Sequence, residues 1–476
     1  MLHPTKKTKI IATIGPSSES SNVIRELILS GVNLFRFNLK HNDHDWHTKT
    51  MHLVRKIADE LSTSIGIIAD LQGPEVRTGK YETGSIILNH KEKIAFSNKQ
   101  VEGMKTITFN PTSVVAKLKK DQEVLIDDGK FALKVIKIEK NYAIAEVVEG
   151  GTLGSSKSVT FPNLELNIPP LMKKDRDDIA MCVKNKVDYV AISFISNAKD
   201  IIELKTYLKK LKSNINVIAK IEKWEAVNNI DLIIKETDAV MIARGDLAVE
   251  IPMERVPSVQ KMLVEKCRLN YTPVIIATQM LKSMEKNTTP TRAEITDVAN
   301  AVFEGSDAVM LSEESAMGDF PVKTVQTMAK ILRFNEQSFQ YIKGSNVEAE
   351  DIAVGEALTY AAHLVFDLYK STKNQVKGFI VLTETGKTVH GLAKYRSNMP
   401  IFAFTQSETV RNQLNLSYGT VPFYLPFKKS TTETINEIKK TLIKERFAKK
   451  GDLFIAVSGE ILGHAGHTDT LRLLTI

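Results

Sequence analysis

Five apolar stretches end in polar residues two apart: Arg36 with Asn38, Asp70 with Gln72, Lys220 with Glu222, Arg244 with Asp246, and Ser312 with Glu314. A sixth closes on Thr278-Gln279. Residues two apart share a face of a strand, so each pair points one way at a strand end. Glu222 and Asp246 are hard oxygen donors of the kind that hold Mg²⁺ or Mn²⁺ while leaving positions for substrate oxygens and water. Lys220 lies beside them, and Arg36, Arg77 and Arg244 add cations; three cations around a metal suit a phosphate. If Lys220 and Glu222 simply paired with each other, the arginines would lack a purpose. Buried charges must be paired or they destabilise the fold, so a rim this charged implies a site.

The elements that must carry these residues are short β-branched runs with helical patterns between them: 10–14, 32–37, 65–70, 189–194, 217–221, 239–243, 273–277 and 308–311. Continuous apolar runs alternating with helices indicate a parallel sheet buried on both faces, and eight of them predict a (β/α)₈ TIM-type barrel, whose function sits at the C-terminal ends of the strands. One gap of more than 100 residues, between the third and fourth runs, predicts an inserted domain. Within it, IAFSNK, EVLIDD, FALKVIKI and YAIAEVV read as strands, punctuated by turns at Asp127-Asp128-Gly129 and Gly150-Gly151. A small β-barrel or sandwich is expected there. After residue 344 the pattern restarts: a helix over 353–369, strand GFIVLT, a helix from Gly386, strand IFAF, a helix from Glu408 and a final strand LFIAVS. This predicts a separate α/β domain with an open sheet. The expected division is 1–70 with 172–344 for the barrel, 71–171 for the insert and 345–476 for the C-terminal domain.

With 43% hydrophobic and 25% charged residues in 476, the chain has the composition of an ordinary globular protein. Its first apolar run is broken by Gly15-Pro16, too early for a secretion signal, and no run approaches a membrane span. Two cysteines, Cys182 and Cys267, form neither a metal spacing nor a disulfide framework, which fits a reducing, cytoplasmic compartment. The formal net charge of +8 suits polyanionic small substrates as well as nucleic acid, but no nucleic-acid motif accompanies it. The lysines of 205–212 and 439–450 read as solvated helix faces.

In the right order across the whole chain, KIIATIGPSS, FRFN, DLQGPEVRTG, AKIEKWEAV, MIARGDLAVEIP, ATQMLKSM, PTRAEITDVANAV and VMLSEESAMGDFP resemble the pyruvate kinase family. The resemblance implies Mg²⁺-dependent phosphoryl transfer from phosphoenolpyruvate to ADP, giving pyruvate and ATP. It implies that Glu222 and Asp246 hold the metal, that the N–H groups of Gly245 and Asp246 receive the substrate carboxylate, and that Lys220 stabilises the phosphoryl group and then the enolate oxygen. Arg36 and Arg77 would bind phosphates. Thr278, with Ser312 and Glu314 behind it, would belong to the route that protonates the enolate carbon. The insert becomes a lid over the nucleotide, with Asp128 and Lys157 at lid positions and Asn38 and His41 nearby. A homotetramer is also implied.

The departures from the family pattern are specific. Where the family has Arg-x-Asn-Phe-Ser-His, with Asn, Ser, an Asp and a backbone carbonyl around a K⁺ ion, this chain has Lys40 in place of the serine and Leu71-Gln72 after Asp70. An ammonium near Asn38 and Asp70 would supply the site's positive charge, which predicts a K⁺-independent enzyme. Glu75 runs against this, because K⁺-independent members with Leu-Gln usually carry lysine there. Ala248, Glu313, Ser156 and Met317 also depart, and bear on nucleotide affinity and specificity. Thr383-Glu384-Thr385-Gly386-Lys387-Thr388, between a strand and a helix, makes an anion site from hydroxyls and N–H groups. It resembles the family's effector phosphate loop, so a sugar phosphate or nucleotide effector is expected at Thr383, Thr385, Gly386, Lys387 and Thr388.

Two other classes stay open on sequence grounds. A metal-dependent lyase acting on enolates would use the same rim without needing a lid, and a non-catalytic sugar-phosphate sensor or basic binding module would need only the C-terminal loop and the net charge. His41, His44 and His47, spaced by three, read as exposed histidines at a helix start rather than as a zinc site, and His464 with His467 reads likewise as no metal site.

Overall fold

The computed structural model describes residues 6–162, 164, 166, 168–338, 353–370, 372, 375–428, 430–460 and 468–476. Its centre is a closed barrel of parallel strands: β1 Lys9–Thr13, β2 Leu34–Asn38, β3 Gly66–Asp70, β4 Tyr189–Ile192, β5 Asn216–Ile221, β6 Ala239–Ala243, β7 Val274–Ala277 and β8 Ala308–Leu311. Each strand pairs with its sequence neighbours, and β8 closes on β1 through Lys9↔Ala308. Alternation sorts the side chains into two layers. Ile11, Leu34, Ile68, Tyr189, Ala191, Ile218, Met241 and Met310 fill the interior. Ile10, Phe35, Ile67, Val190, Val217, Val240 and Val309 face the surrounding helices.

That parity explains the rim. Arg36 and Asn38 continue the inward series of Leu34, Asp70 that of Ile68, and Lys220 and Glu222 that of Ile218, so they point into the mouth where the apolar filling stops. Local signals fix the helices behind the strands. The PTRAE stretch is a helix start: Thr291 caps Arg292–Glu304, Glu294 completes the capping box, and Gly305 ends the helix at φ +87°.

The insert folds around a core of its own, with Phe96, Phe109, Leu133, Val135 and Ala145. Its main sheet has six strands, among them Lys93–Ser97, Glu123–Ile126, Phe131–Ile138 and Tyr142–Glu149. The expected turn at Asp127-Asp128-Gly129 is left-handed throughout, at φ +53°, +56° and +83°.

Among the described residues the C-terminal domain has five strands, in spatial order Thr420–Tyr424, Ile401–Thr405, Val376–Leu382, Leu453–Ser458 and Thr470–Thr475, the last antiparallel. LFIAVS is therefore not the final strand, and two strands escape the sequence reading. Thr420–Tyr424 contains Pro422, which a strand tolerates only at an edge. Thr470–Thr475 lies half-exposed at the other edge, without an apolar run. The expected boundary at 344–345 lies outside the described residues.

The two domains meet at the barrel's N-terminal mouth. Leu416, from the turn Leu414–Leu416, joins the interior layer of the barrel. Beside it the Tyr189 hydroxyl donates to the Gln413 carbonyl at 2.9 Å, and Gln413 Nε2 donates to the carbonyls of Asp188 and Asn214. Buried Arg396 pairs with Asp307 at 2.6 Å and donates to the Gly305 carbonyl at 2.8 Å.

Candidate active site

At the C-terminal mouth the inward residues form one ionic cluster. Lys220 Nζ lies 2.6 Å from Glu222 Oε1 and 3.3 Å from Asp70 Oδ1. Arg36 reaches the other oxygen of Asp70 through Nη2 at 2.6 Å and Nε at 2.8 Å, and its Nη1 donates to Thr13 Oγ1 at 3.1 Å. Glu222 is held at its second oxygen by the Phe194 N–H, at 2.6 Å. Burial favours neutral forms, but the charges overrule it. For Asp70, Lys220 and Arg36 hold the carboxyl below its usual range. Burial likewise works against the Lys220 ammonium, yet Asp70, Glu222 and Asp246 raise its pKa. Asp246 is pushed up to about 7, first by burial and then by the charge of Glu222.

Ser193 is a site residue that the strand-end search missed. Its Oγ accepts from Lys220 Nζ at 2.8 Å and lies 2.9 Å from the Leu71 carbonyl, to which it donates. The signal was available in the parity of β4, because Ser193 follows Ala191 by two.

Thr278 follows β7, and its Oγ1 accepts from the Gly245 N–H at 2.9 Å. In the short helix Glu313–Ala316 that follows β8, Glu314 is fully buried, accepting from Ser312 N at 2.7 Å and Leu281 N at 3.3 Å, and burial raises its pKa. Met317 and Glu313 are exposed, and Glu313 approaches Lys282 at 3.8 Å.

Three expectations need correction. Arg244 does not join Arg36 and Arg77 around a phosphate position: its guanidinium turns to Asp297 at 2.8 Å and to the Thr278 carbonyl at 2.6 Å. The Lys40 ammonium pairs with Glu75 at 2.8 Å rather than sitting by Asp70, and only the Lys40 backbone N–H meets Asn38 Oδ1, at 3.2 Å. Finally, His47 is buried, its Nε2 2.8 Å from the His41 carbonyl, while His44 pairs with Asp178. Among the described residues no His, Cys, Asp and Glu group has the geometry of a metal cluster, and His464 and His467 lie outside them.

The insert and the barrel together line a cleft of about 870 Å³, with Arg77, Asp128, Lys157, Lys40, Glu222 and Asp246 on its walls. Arg77 is held by Glu75 at 3.0 Å and by the Ser156 carbonyl at 2.6 Å. Lys157 pairs with Asp127 at 3.1 Å, and Asp128 accepts from Ser158 Oγ at 3.0 Å. No helix among the described residues is long and apolar enough to cross a membrane.

Fold and rim together define a phosphotransferase built on a (β/α)₈ barrel. Family models agree: the pyruvate kinase barrel domain matches residues 5–325 and the pyruvate kinase alpha/beta domain residues 362–474. The chain is 38% identical to pyruvate kinase 2 of Synechocystis sp. over 98% of its own length and 79% of the relative. It is 37% identical to the pyruvate kinase of Clostridium perfringens, covering 98% and 99% of the two chains. A pyruvate kinase from Cryptosporidium parvum superposes with a TM-score of 0.91 at 31% identity, over 99% of this chain and 96% of that one. The chain belongs to the pyruvate kinase family, and its activity is that of a pyruvate kinase.

Proposed function

We propose that the chain moves the phosphoryl group of phosphoenolpyruvate to ADP at the barrel mouth, in the cytoplasm, with Mg²⁺ or Mn²⁺ bound by Glu222 and Asp246. The observation that carries this reading is the position of Lys220, an inward ammonium buried between Asp70 and Glu222 on the rim of the cleft. The donor set fits a divalent cation, because burial and the neighbouring Glu222 charge both disfavour the Asp246 carboxylate unless a cation stands by. Bound there, the cation would offset negative charge on the substrate's carboxylate and phosphate.

The residues then divide the work by position. Arg36, fixed by Asp70 and Thr13, and Arg77, fixed by Glu75 and the Ser156 carbonyl, bind phosphate oxygens. As the O–P bond breaks and the phosphoryl group joins an oxygen of ADP, the electron pair left on the enolate oxygen falls beside Lys220. The N–H of Asp246 takes the substrate carboxylate, while the Gly245 N–H, to which the resemblance gives the same role, is held by Thr278 Oγ1 at 2.9 Å. Thr278, with Ser312 and Glu314 behind it, serves the proton that completes pyruvate. Asn38, His41, Arg77, Asp128 and Lys157 form the nucleotide side, and the insert, residues 71–171, closes over it.

Three finer readings belong with this one. The monovalent-cation position of Asn38, Asp70 and the Leu71 carbonyl is dispensable, because Lys40 brings its ammonium to Glu75, the position where K⁺-independent relatives place a lysine. The loop Thr383–Thr388, where Gly386 N–H donates to Thr383 Oγ1 at 2.9 Å, takes an effector phosphate through Thr385, Lys387 and Thr388. Val354, Leu364 and Leu368 form an exposed apolar stripe on the helix Val354–Tyr369, which supports self-association toward a tetramer.

The deciding assay follows pyruvate formation from phosphoenolpyruvate, ADP and Mg²⁺ in a buffer free of K⁺ and NH₄⁺, and then with K⁺ added. Turnover that K⁺ barely changes supports both the reaction and the role of Lys40, with Lys40→Ser expected to gain K⁺ dependence. Turnover only after K⁺ keeps the enzyme and discards that role. A substrate curve unmoved by sugar phosphates and nucleoside monophosphates retires the effector loop.

A further inference from the structure

Thr278 and Gln279 are consecutive left-handed residues, at φ +69° and +55°. This region is uncommon for any residue but glycine and most adverse for a β-branched one. Such a conformation persists only where its surroundings over-determine it, and here the surroundings can be named. Arg244 Nη2 donates to the Thr278 carbonyl at 2.6 Å and Nε to the Ala277 carbonyl at 3.3 Å. Arg244 Nη1 is anchored on Asp297 at 2.8 Å, in the capped helix Arg292–Glu304. The next residue, Gly245, holds the Thr278 hydroxyl through its N–H. Two adjacent residues at the end of β6 thus grip both the peptide and the side chain of one residue at the end of β7.

The sequence reading gave Arg244 to the phosphate, but its guanidinium is committed to this clamp. Its planar fork is what the geometry requires, since it addresses two carbonyls and a carboxylate in fixed directions; a lysine would present one flexible point charge.

We propose that Arg244 and Asp297 are positioning residues that set the Thr278 hydroxyl for protonation of the enolate, an inference that rests on the reading of Thr278 given above. In that step the enolate oxygen pair forms the ketone C=O, the C=C pair forms the new C–H bond at the methylene carbon, and the proton is delivered through the Thr278 hydroxyl and replaced from solvent. Loosening the clamp displaces the hydroxyl while leaving Lys220, Arg36, Glu222 and Asp246 in place. Proton transfer at carbon should therefore suffer more than phosphoryl transfer.

The test uses the full chain with Mg²⁺ and two readouts: ATP formation from phosphoenolpyruvate and ADP, and deuterium uptake into the methyl group of pyruvate in D₂O. Asp297→Asn is expected to slow deuterium uptake about tenfold or more, within what misplacing a reacting group costs, with a clearly smaller effect on ATP formation. Arg244→Lys provides the same comparison should the first variant fold poorly, and Asp297→Glu should recover part of the exchange. In a Thr278→Ala background the clamp variants should add nothing to the exchange defect. Equal loss of both readouts, or effects that multiply in that background, would mean a merely structural pair and overturn the inference. Slowed exchange in Thr278→Ala beside normal exchange in both clamp variants overturns it alone. Normal exchange in Thr278→Ala overturns the reading of Thr278 and the inference together.

Discussion

Ser193 Oγ lies 2.8 Å from Lys220 Nζ and 2.9 Å from the Leu71 carbonyl. A hydroxyl has one proton and a carbonyl can only accept, so Ser193 donates to Leu71 and turns a lone pair toward the ammonium. The lysine is thereby tethered to the backbone just past β3. A hydrogen bond to a charged group contributes about 1.5–3 kcal/mol, so Ser193→Ala is expected to lower kcat about tenfold or more. KM for phosphoenolpyruvate should change little, and Ser193→Thr should retain most of the rate. Steady-state kinetics at saturating substrates checks this, and an unchanged kcat in Ser193→Ala removes the tether from the mechanism.

Glu222 offers one oxygen to Lys220 and the other to Phe194 N–H. Glu222→Gln keeps the shape and discards the charge, so Mn²⁺ binding should weaken even without substrate. Equilibrium dialysis of the free protein measures this directly; equal affinity in both proteins would take Glu222 out of the metal site.

Arg396 and Asp307 are both buried, and the pair joins the C-terminal domain to the barrel floor. Removing one partner of a buried pair typically costs about 3–5 kcal/mol because the other charge is left uncompensated. Asp307 keeps the N–H groups of Val274 and Tyr418, so Arg396→Met should fall near the lower end. Denaturant unfolding reads the loss, and a midpoint equal to wild type would show that those N–H groups alone suffice.

Lys6 is buried against Asn33 and the Thr8 carbonyl. Burial, reinforced by Lys9 and Arg333 and opposed by Glu336, lowers its pKa from 10.5 to about 7. Between those values the unfolded chain keeps a proton that the folded chain has released. Stability contributed by this group therefore rises with pH from about 7 to 10.5 and is constant below that window. Lys6→Met should flatten the rise, measured as unfolding free energy at pH 7 and pH 10; an undiminished rise would place the effect elsewhere, for instance at Lys9.

What was legible in the sequence follows from where the physics is local. The runs at 239–243 and 308–311 are strands β6 and β8 to the residue, because a strand buried on both faces must be continuously apolar and must stop where the rim begins. Lys220, Glu222, Asp70 and Arg36 converge because strand parity decides which side a residue takes. What stayed hidden depends on partners distant in sequence. Arg244 follows the outward series of Val240 and Ile242 and opens a helix just past β6, and the partner that fixes its guanidinium is Asp297, 53 positions away. Lys40 reaches Glu75 rather than Asp70, a choice between two carboxylates that spacing cannot make. Thr420–Tyr424 and Thr470–Thr475 are edge strands, the first interrupted by Pro422 and the second half-exposed, so neither carries the unbroken apolar run that reveals the others.

The turn at Leu414–Leu416 gives the barrel a floor made from another domain. A barrel severed from that domain would admit water to the layer around Tyr189, so the catalytic unit is not a separable module. Chimaeras between relatives inherit the same constraint. An exchanged C-terminal domain brings its own stopper, and a graft will be sound only where the incoming leucine and glutamine match the host's Tyr189 and Asp188, whatever effector the graft was meant to import.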